Sequence, residues 1–314
     1  MKPMVPLAFL VLAHDDPDHL RRLCRMLSPH PVYVHLDAKA GSVERFTNGL
    51  PANARLIDQR FPVWWAGFEM VEATLALIRQ AMQNGGANHT VLLSGHCYPI
   101  KPIAALADML AQEPDTDHIQ LVPIQPGSTL VNMIGRHWRQ RPFVPESWRN
   151  RCRYLARADD FLRRVRNRLA RAVGRRFSNE IAPAVPYQGS QWWALTHATL
   201  VRVCDFIDAN PVLARAYRTT FAPDEMFFHT VFGVVGDQRR QKGSTRDRGH
   251  RTLYDAPLHL VADTPGRWTA DSPQFREEIA VVPRYFVRKI GAKNAALLDW
   301  IDHDLLRVTG RGAA

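Results

Sequence analysis

Acids, closely spaced cysteines, glycine-rich loops and long apolar runs are what this chain has least of. Its four cysteines (Cys24, Cys97, Cys152 and Cys204) stand far apart in the sequence. That spacing excludes a zinc knuckle or a Cys-x-x-Cys redox pair and fits a reduced, cytoplasmic protein. No stretch approaches the roughly 18 consecutive apolar residues of a membrane span. The opening, Met1 to His14, is easily mistaken for a secretion signal. Its apolar run is short, lacks a small-residue cleavage end and leads straight into His14-Asp15-Asp16-Pro17, so it reads as a first buried strand. No glycine-rich loop offers its backbone N–H groups to a phosphate. A metal-held diphosphate would call for Asp-x-Asp just past a strand. The only clean pairs are Asp16-Pro17-Asp18, at a helix start, and Asp115-Thr116-Asp117, ahead of a strand. Both read as capping or loop acids, so no metal site is expected despite 13 histidines. Internal repeats and low-complexity tracts are absent as well.

What is present is a full core. Hydrophobic residues make up 46% of the 314 positions and charged residues 23%, which describes a soluble globular α/β protein. Leu7–Ala13 is a continuous apolar run of the kind found in interior parallel strands. Asp16-Pro17 opens a helix that buries Leu20, Leu23, Cys24 and Leu27 at i, i+3, i+4, i+7 and ends at Pro29 and Pro31. Val32–Leu36 is the next strand and closes on Asp37. This β-α-β start predicts a doubly wound sheet. Arg55–Ile57 gives a short third strand. A helix burying Val71, Leu75, Ile78 and Met82 follows and stops at Gly85-Gly86. Then come the strand His89–Ser94, a helix on Ile103, Leu106 and Leu110, and the strand His118–Val122. The pattern breaks from Pro123 to Pro186. It resumes with the strand Ser190–Leu195, the helix Ala198–Ile207 and a last helix, Ala295–Arg307; Gln238–Arg251 reads as a mobile basic loop.

The formal net charge is +11, and the excess is concentrated: fourteen arginines lie between Arg136 and Arg176 against Glu146, Asp159 and Asp160. Such an excess implies an anionic partner, whether a phosphate-bearing substrate, an acidic polymer, nucleic acid or an anionic membrane surface. Within it, Tyr154–Arg176 reads as a helix with Leu155, Phe161, Leu162, Val165 and Leu169 available for burial. The stretch Phe221 to Thr230 draws the eye for another reason. Pro223 followed by Asp224 and Glu225 reads as a helix start whose acids face the positive end of the helix dipole. Phe227, Phe228 and Val231 would anchor it. A carboxylate held by rigid aromatics in a partly dry crevice can act as a base; the plain alternative is an ordinary acidic first turn. Open α/β sheets bind ligands at the carboxyl ends of their strands, which singles out His14, Asp37 and Ser94-Gly95-His96. Asp37 suits a nucleoside base or ribose, or is a turn aspartate. Trp64-Trp65 suit stacking on a ring, or are core aromatics.

Several of these segments together resemble a known family. Phe9–His14, Val32–Lys39, Val63–Met70, Thr90–Pro102, Gly189–Leu195, Pro223–Thr230 and Tyr285–Ile290 fall in the order of the motifs of the core-2/I-branching β-1,6-N-acetylglucosaminyltransferases, which also include peptide xylosyltransferases. Leu93-Ser94-Gly95-His96-Cys97-Tyr98-Pro99-Ile100-Lys101 is similar to that family's Leu-Ser-Gly-x-Asp-aromatic-Pro-Ile-Lys. Gly189-Ser190-Gln191-Trp192-Trp193 is similar to Gly-Ser-x-Trp-aromatic, and Phe286-Val287-Arg288-Lys289-Ile290 to Phe-Ala-Arg-Lys-Phe. The resemblance implies a GT-A-like α/β fold, a mostly parallel Rossmann-type sheet flanked by helices and carrying the arginine-rich insertion. It implies inverting transfer of a sugar, GlcNAc or xylose, from a UDP donor without a metal or other cofactor. Glu225 would be the general base. Donor contacts would come from Val11, His14, Asp37, Trp65, Arg288 and Lys289, with Arg251, Arg267 or His259 standing in for a second diphosphate cation. Acceptor contacts would come from Ser94, Gly95, His96, Gly189, Ser190, Trp192, Asp224 and, in the basic segment, Arg136 and Arg139.

One domain is expected, with a nucleotide-binding half over 1–125, the basic insertion over 126–186 and an acceptor and catalytic half over 187–314. The chain departs from the family at Cys97, where an aspartate is usual. The partners implied are a UDP-sugar, a glycan or glycoconjugate acceptor and an anionic membrane surface. A cytoplasmic site of action is expected, peripheral on the inner membrane surface, in polysaccharide or glycoconjugate synthesis. A different class of function rests on Arg136–Arg176 alone: a nucleic-acid or anionic-surface binding protein. Its aromatics are not interleaved as a base-stacking platform needs, and no nucleic-acid partner is expected. A solvated basic face is the plainest reading of that segment.

Overall fold

Strand β1 (Val5–Ala13) is apolar on both faces, and both faces are covered. In the computed structural model, which describes residues 5–125, 131–135, 137–173, 177–246, 255–261 and 273–307, Ala8, Leu10 and Leu12 point to one layer. There they meet Val71, Leu77 and Ile78 of the helix Glu69–Gln83, Leu200 and Val203 of His197–Ala209, and Phe227, Phe228 and Val231 of Phe227–Val235. Leu7, Phe9, Val11 and Ala13 point to the other layer, onto Leu20 and Leu23 of Pro17–Met26 and Leu106 and Leu110 of Ile103–Gln112. The two-residue period of a strand sends alternate side chains to opposite faces, so one short run contributes to both cores. Truncating a fully buried leucine here, such as Leu10, costs roughly 2–5 kcal/mol.

Strands β2 (Val32–Leu36), β3 (Ala54–Leu56) and β4 (Ala87–Ser94) extend the sheet in parallel, with β1 between β2 and β4. Further along come β5 (Cys97–Pro99), β6 (Asp117–His118), β7 (Val122–Pro123), β8 (Tyr187–Gln188), β9 (Ala194–Thr196), β10 (Gln241–Lys242), β11 (His259–Val261) and β12 (Phe286–Arg288). The main sheet has the order β10-β6-β9-β4-β1-β2-β3, with β9 antiparallel to both its neighbours. This is the mostly parallel, helix-flanked α/β fold expected from the sequence, with the arginine-rich helix Arg153–Val173 inserted between β7 and β8. A second sheet, β11-β12-β5, folds the end of the chain back over the carboxyl end of β4 through the antiparallel pair Arg288 and Cys97.

Several boundaries differ from the sequence reading. The expected strand His118–Val122 is divided: Asp117–His118 joins the main sheet, while Val122–Pro123 pairs with β8. Between them the backbone finds other partners, Leu121 N–H donating to Ser244 O at 3.2 Å. The strand expected over Ser190–Leu195 is ordered as Ala194–Thr196, because Ser190 N–H is taken by the Gln120 side chain at 2.8 Å. Helix Glu69–Gln83 buries Thr74, Leu77 and Ala81 more completely than the expected Leu75 and Met82. The last helix runs Ala295–Trp300 and widens to a π-turn over Ile301–Leu305. The largest departure is in Arg153–Val173, where Leu155, Phe161, Leu162, Val165 and Leu169 are all exposed rather than buried. Both Asp-x-Asp pairs are structural acids, as read: Asp16 caps its helix through His19 N–H at 3.2 Å, and Asp117 accepts from Thr196 N–H and Thr199 Oγ1 at 2.8 and 2.7 Å.

Candidate active site

The loops after β2 and β4 are stitched to the end of β1. Asp37 N–H donates to Ala13 O and Gly95 N–H to Leu12 O, each at 2.8 Å. Asp37 is buried; its Oδ1 accepts from the N–H of Lys39 at 2.8 Å and of Val63 at 3.4 Å. The Lys39 ammonium lies 3.9 Å from Asp37 Oδ2 and 4.1 Å from the centre of a Trp64 ring. At the mouth of β4, His96 N–H donates to Ser94 Oγ at 3.1 Å, and His96 Nε2 is 2.7 Å from Asp15 Oδ1. The ring of His14 lies 5.4 Å from that of His96. Desolvation, before any charge effect, holds His14 below its usual value.

From the other side, β12 delivers two cations. Arg288 donates to Ser94 Oγ, and its guanidinium sits 4.1 Å over the ring of Trp192. Burial pushes Arg288 down from the usual arginine value, while Cys97, Asp224 and Glu225 pull it back up. Lys289 follows. Its ammonium is lowered first by desolvation and then by Arg288, with Asp15 drawing it the other way. Ile290 N–H donates to His96 O at 3.0 Å, which locks this corner onto the β4 loop.

Pro223–Glu225 is a 3-10 turn, not the first turn of the α-helix expected there; the helix Phe227–Val235 begins after Met226. Ala222 has φ 48°, a left-handed residue that redirects the chain, and its N–H donates to Ala66 O at 3.1 Å. Glu225 O accepts from Gly189 N–H at 2.9 Å. A Cβ at Gly189 would fall 2.6 Å from Gln120 O and from the His229 ring, so this seam tolerates glycine alone. Burial lowers His229 to about 4, which keeps it neutral, and its Nε2 donates to Ser190 O at 3.0 Å. The two acids behave differently from surface carboxylates. Desolvation raises Glu225 well above its ordinary value, the Asp224 charge adds to this, and Arg288 opposes it. Asp224 is raised chiefly by desolvation as well. Asp224 Oδ1, Ser190 Oγ and Trp64 Nε1 are buried without a hydrogen-bond partner among the described residues. Unsatisfied buried polar atoms, one of them on a raised carboxyl, are what a ligand-binding site leaves open before its ligand arrives.

Residues 7–127 match the family model Branch, core-2/I-branching enzyme. The match supports the family suggested by the motifs and a glycosyltransferase of the core-2/I-branching type. It covers β1 to β7 and the loops carrying His14, Asp37, Trp65 and Ser94–His96, and it stops short of the basic segment, Glu225 and Lys289. No curated protein matches the chain. Similar solved structures include a mannose-1-phosphate geranyltransferase from Thermus thermophilus, with 14% identity, a TM-score of 0.26 and 38% of this chain aligned to 47% of that one. A protein described as a glucose-1-phosphate thymidylyltransferase from Bacillus anthracis shows 10% identity, a TM-score of 0.27 and 63% of this chain aligned to 75% of that one. This chain therefore spans about half the length of the first of them.

Several of the expected site residues gather around Arg288 at the carboxyl end of β4: Ser94 accepts from it, Trp192 lies under its guanidinium, its charge acts on Asp224 and Glu225, and Lys289 feels both Arg288 and Asp15. Val11 does not line a pocket; it is fully buried in the core layer under β1. Trp65 is 79% exposed and packs edge-on to Phe221 at 5.3 Å, and the tryptophan in contact with Lys39 of the Asp37–Lys39 pair is Trp64. Arg139 is half-buried, its guanidinium 4.1 Å over Phe143, and its backbone N–H donates to Asn167 Oδ1 at 2.9 Å. Arg136, Arg251 and Arg267 lie outside the described residues. His259, the remaining stand-in for a diphosphate cation, is fully buried and stacked on Phe286; desolvation, Arg288 and Arg284 push it well below its ordinary value. It is neutral and supplies no charge. Sequence reasoning missed the Lys39–Trp64 contact and the Asp15–His96 pair, whose only signal was their place just after predicted strands.

His14, Asp15 and His96 bring their ligand atoms within 4.8 Å of one another, the one such metal-competent group found among the described residues. Two clefts flank the sheet. One of about 430 Å³ is lined by Pro62, Trp64, Arg139, Arg141 and Phe143, on the Trp64 side of the crevice. The larger, of about 740 Å³, lies around Asn88, Asp117 and Thr196 at the amino end of β4. That is the wrong end of a parallel sheet for a ligand.

Proposed function

We propose that this chain transfers a sugar from a UDP-sugar donor to a hydroxyl of a glycan or glycoconjugate, with inversion at the anomeric carbon. The observation that carries the reading is Glu225, a carboxyl raised by desolvation and by Asp224 in a crevice walled by Ser94 and Trp192 and bounded by Arg288. A base works best when its pKa lies near the working pH, and this environment moves a glutamate in that direction. In the reaction, the acceptor hydroxyl gives its proton to the Glu225 carboxylate as its oxygen attacks the anomeric carbon. The bond from that carbon to the diphosphate oxygen breaks on the opposite face, and its electron pair leaves on UDP. Lys289 meets the departing diphosphate; desolvation and the neighbouring Arg288 charge lower its ammonium, and an anion arriving there would offset both. Asp37 and Trp64 suit the uridine, and Trp65 with Phe221 suits the acceptor ring. GlcNAc and xylose are the proposed sugars.

A panel of UDP-sugars read by thermal shift, followed by measurement of released UDP, tests the donor. Glu225→Gln is expected to keep UDP binding and lose at least about a hundredfold in turnover, since a general base contributes roughly 10²–10⁴. Near-normal transfer by that variant removes Glu225 from the role. One observation favours a second reading of the charge on the diphosphate: the His14, Asp15 and His96 cluster is able to hold a divalent ion. Lys289 in the same corner argues for the metal-free route, in which chelator leaves the rate unchanged; strict dependence on added Mn²⁺ overturns it.

A further inference from the structure

The helix Arg153–Val173 is turned inside out. Asp159, Arg163 and Asn167 face the protein while its large apolar residues face solvent, the reverse of an ordinary surface helix. Asp159 is 1% exposed and accepts from the N–H groups of Phe143 and Val144 at 2.7 and 3.2 Å. Arg149, from the preceding helix Glu146–Arg151, pairs with Asp159 and lies 3.0 Å from Asp160; Arg163 reaches Asp160 at 2.9 Å. Asn167 holds the backbone of Arg139 from both sides, accepting from its N–H at 2.9 Å and donating to its carbonyl at 3.0 Å. These bonds fix the rotation of the helix, and the apolar side is left over. Phe161 is 63% exposed, Leu162 55% and Leu169 65%, with Tyr154, Leu155 and Val165 beside them.

At about 100° per residue these six fall on an arc of roughly 120°. Arg153, Arg157, Arg164 and Arg168, all exposed, fall together along one margin of that arc. No acid lies within the apolar arc: Asp159 is buried, and Asp160, a third exposed at the far edge of the arginine margin, is already engaged by Arg149 and Arg163. We propose that this face docks on an anionic phospholipid bilayer, the apolar arc entering the headgroup boundary and the arginine margin meeting lipid phosphates. Two other occupants fit the charge less well. A second copy related by a two-fold axis would set the same arginines against each other with no acid to receive them. A nucleic acid would satisfy the arginines and leave Leu162, Val165 and Leu169 against a phosphate backbone. The helix does not cross the bilayer: among the described residues none is long and apolar enough to do so.

Docking also has a consequence for the crevice, which rests on the transferase reading while the docking itself does not. The strap from Trp138 to Val144 joins the two places. It is bound to the helix through Asp159 and Asn167, and at its other end Trp138 N–H donates to Thr219 O at 2.6 Å while its ring packs 4.8 Å from Phe221, four residues before Glu225. The strap thus ties the docked helix to the Phe221 side of the crevice, and an amphiphilic, lipid-borne acceptor is the substrate class that such a tie would serve.

The test is flotation of the full chain with vesicles of phosphatidylglycerol and phosphatidylcholine, against phosphatidylcholine alone. Wild type is expected to float with the anionic vesicles and to be released by salt. Phe161→Glu with Leu169→Glu should reduce partition at least tenfold, and Arg157→Gln, Arg164→Gln and Arg168→Gln roughly fivefold for each arginine removed. All five residues are exposed, so melting and circular dichroism should be unchanged. Wild type that stays with the soluble fraction, or variants that float as well as wild type, overturn the proposal. So does concentration-dependent dimerisation abolished by the glutamate pair without vesicle binding, or a salt-sensitive shift of DNA or RNA in its place. Vesicle binding together with no transfer from any UDP-sugar would overturn the reading of the crevice and leave the docking standing.

Discussion

Replacing Glu225 by glutamine should make the protein more stable at neutral pH, and the gain should depend on pH in one direction. The folded protein holds this carboxyl well above its ordinary value of 4.5, with desolvation the first cause and Asp224 the second; the attraction of Arg288 is already counted in that net rise. An acid raised on folding binds a proton in the native state that the unfolded chain has released, so wild-type stability falls as pH rises from about 4.5 through the folded value. Above the folded value the penalty is complete; below the unfolded value it vanishes. Glutamine keeps the shape and removes the charge, and it also spares Asp224 a like-charged neighbour. Each unit of elevation corresponds to about 1.4 kcal/mol, or roughly 3–6 °C in Tm at about 2–4 °C per kcal/mol in a chain approaching this size. Differential scanning calorimetry of both proteins from pH 4 to pH 8 is the assay. The expected result is two curves that meet at the acid end and separate as pH rises, with Glu225→Gln above. A variant that melts below wild type at pH 8, or a difference that does not change with pH, would falsify the claim that this carboxyl is desolvated and strained. The readout needs no substrate, so it stands apart from the identity of the sugar.

Arg288→Met removes the charge that holds Asp224 and Glu225 down, and with it the guanidinium over Trp192; the acid limb of the pH–rate profile should move up by about one unit or more, and an unmoved limb means that Arg288 does not face the base. Gly189→Ala should lower stability by about 1–3 kcal/mol, because the new methyl would sit 2.6 Å from Gln120 O and from the buried His229 ring; an unchanged Tm refutes the packing. Trp65→Ala should leave Tm nearly unchanged, since the side chain is mostly exposed, and raise KM for the acceptor more than for the donor; the reverse split would put Trp65 in the uridine pocket after all.

How much was legible follows from how local each signal is. The strands β1, β2 and β4 were readable because interior parallel strands are unbroken apolar runs, and their carboxyl ends marked His14, Asp37 and Ser94 by the topology rule alone. Asp224 and Glu225 were readable as a pair of acids beside aromatics, but not as a 3-10 turn. That geometry depends on Ala222 in a left-handed conformation and on bonds to Ala66 and Gly189, all set by distant chain. Arg288 was read as a donor contact; its contact with Ser94 depends on β12 pairing with β5 across roughly 190 intervening positions, and no local pattern encodes that pairing. In Arg153–Val173 the helical period was right and the face was wrong, because the tie between Asp159 and the backbone of Phe143 and Val144 selects the polar side for the interior.

The net charge of +11 looked like one property and resolves into several physical situations. Arg149 and Arg163 are internal struts, paired to Asp159 and Asp160 in the base of the basic insertion, and offer little to a partner. Arg288 is a counter-ion set between two carboxyls and a tryptophan; its role is to keep Glu225 from rising further. Lys289 and the outward Arg153, Arg157, Arg164 and Arg168 are different, since no carboxylate is paired to any of them by a salt bridge among the described residues. They belong to two surfaces, the corner proposed for the diphosphate and the helix face proposed for the membrane, so salt should act on them separately. Screening at high ionic strength weakens the exposed helix face strongly, while a diphosphate enclosed beside Lys289 is shielded from bulk ions and loses less. Vesicle binding should therefore fall at a salt concentration at which UDP still protects the protein from thermal unfolding, and a common salt dependence for both would mean that the two basic surfaces act as one.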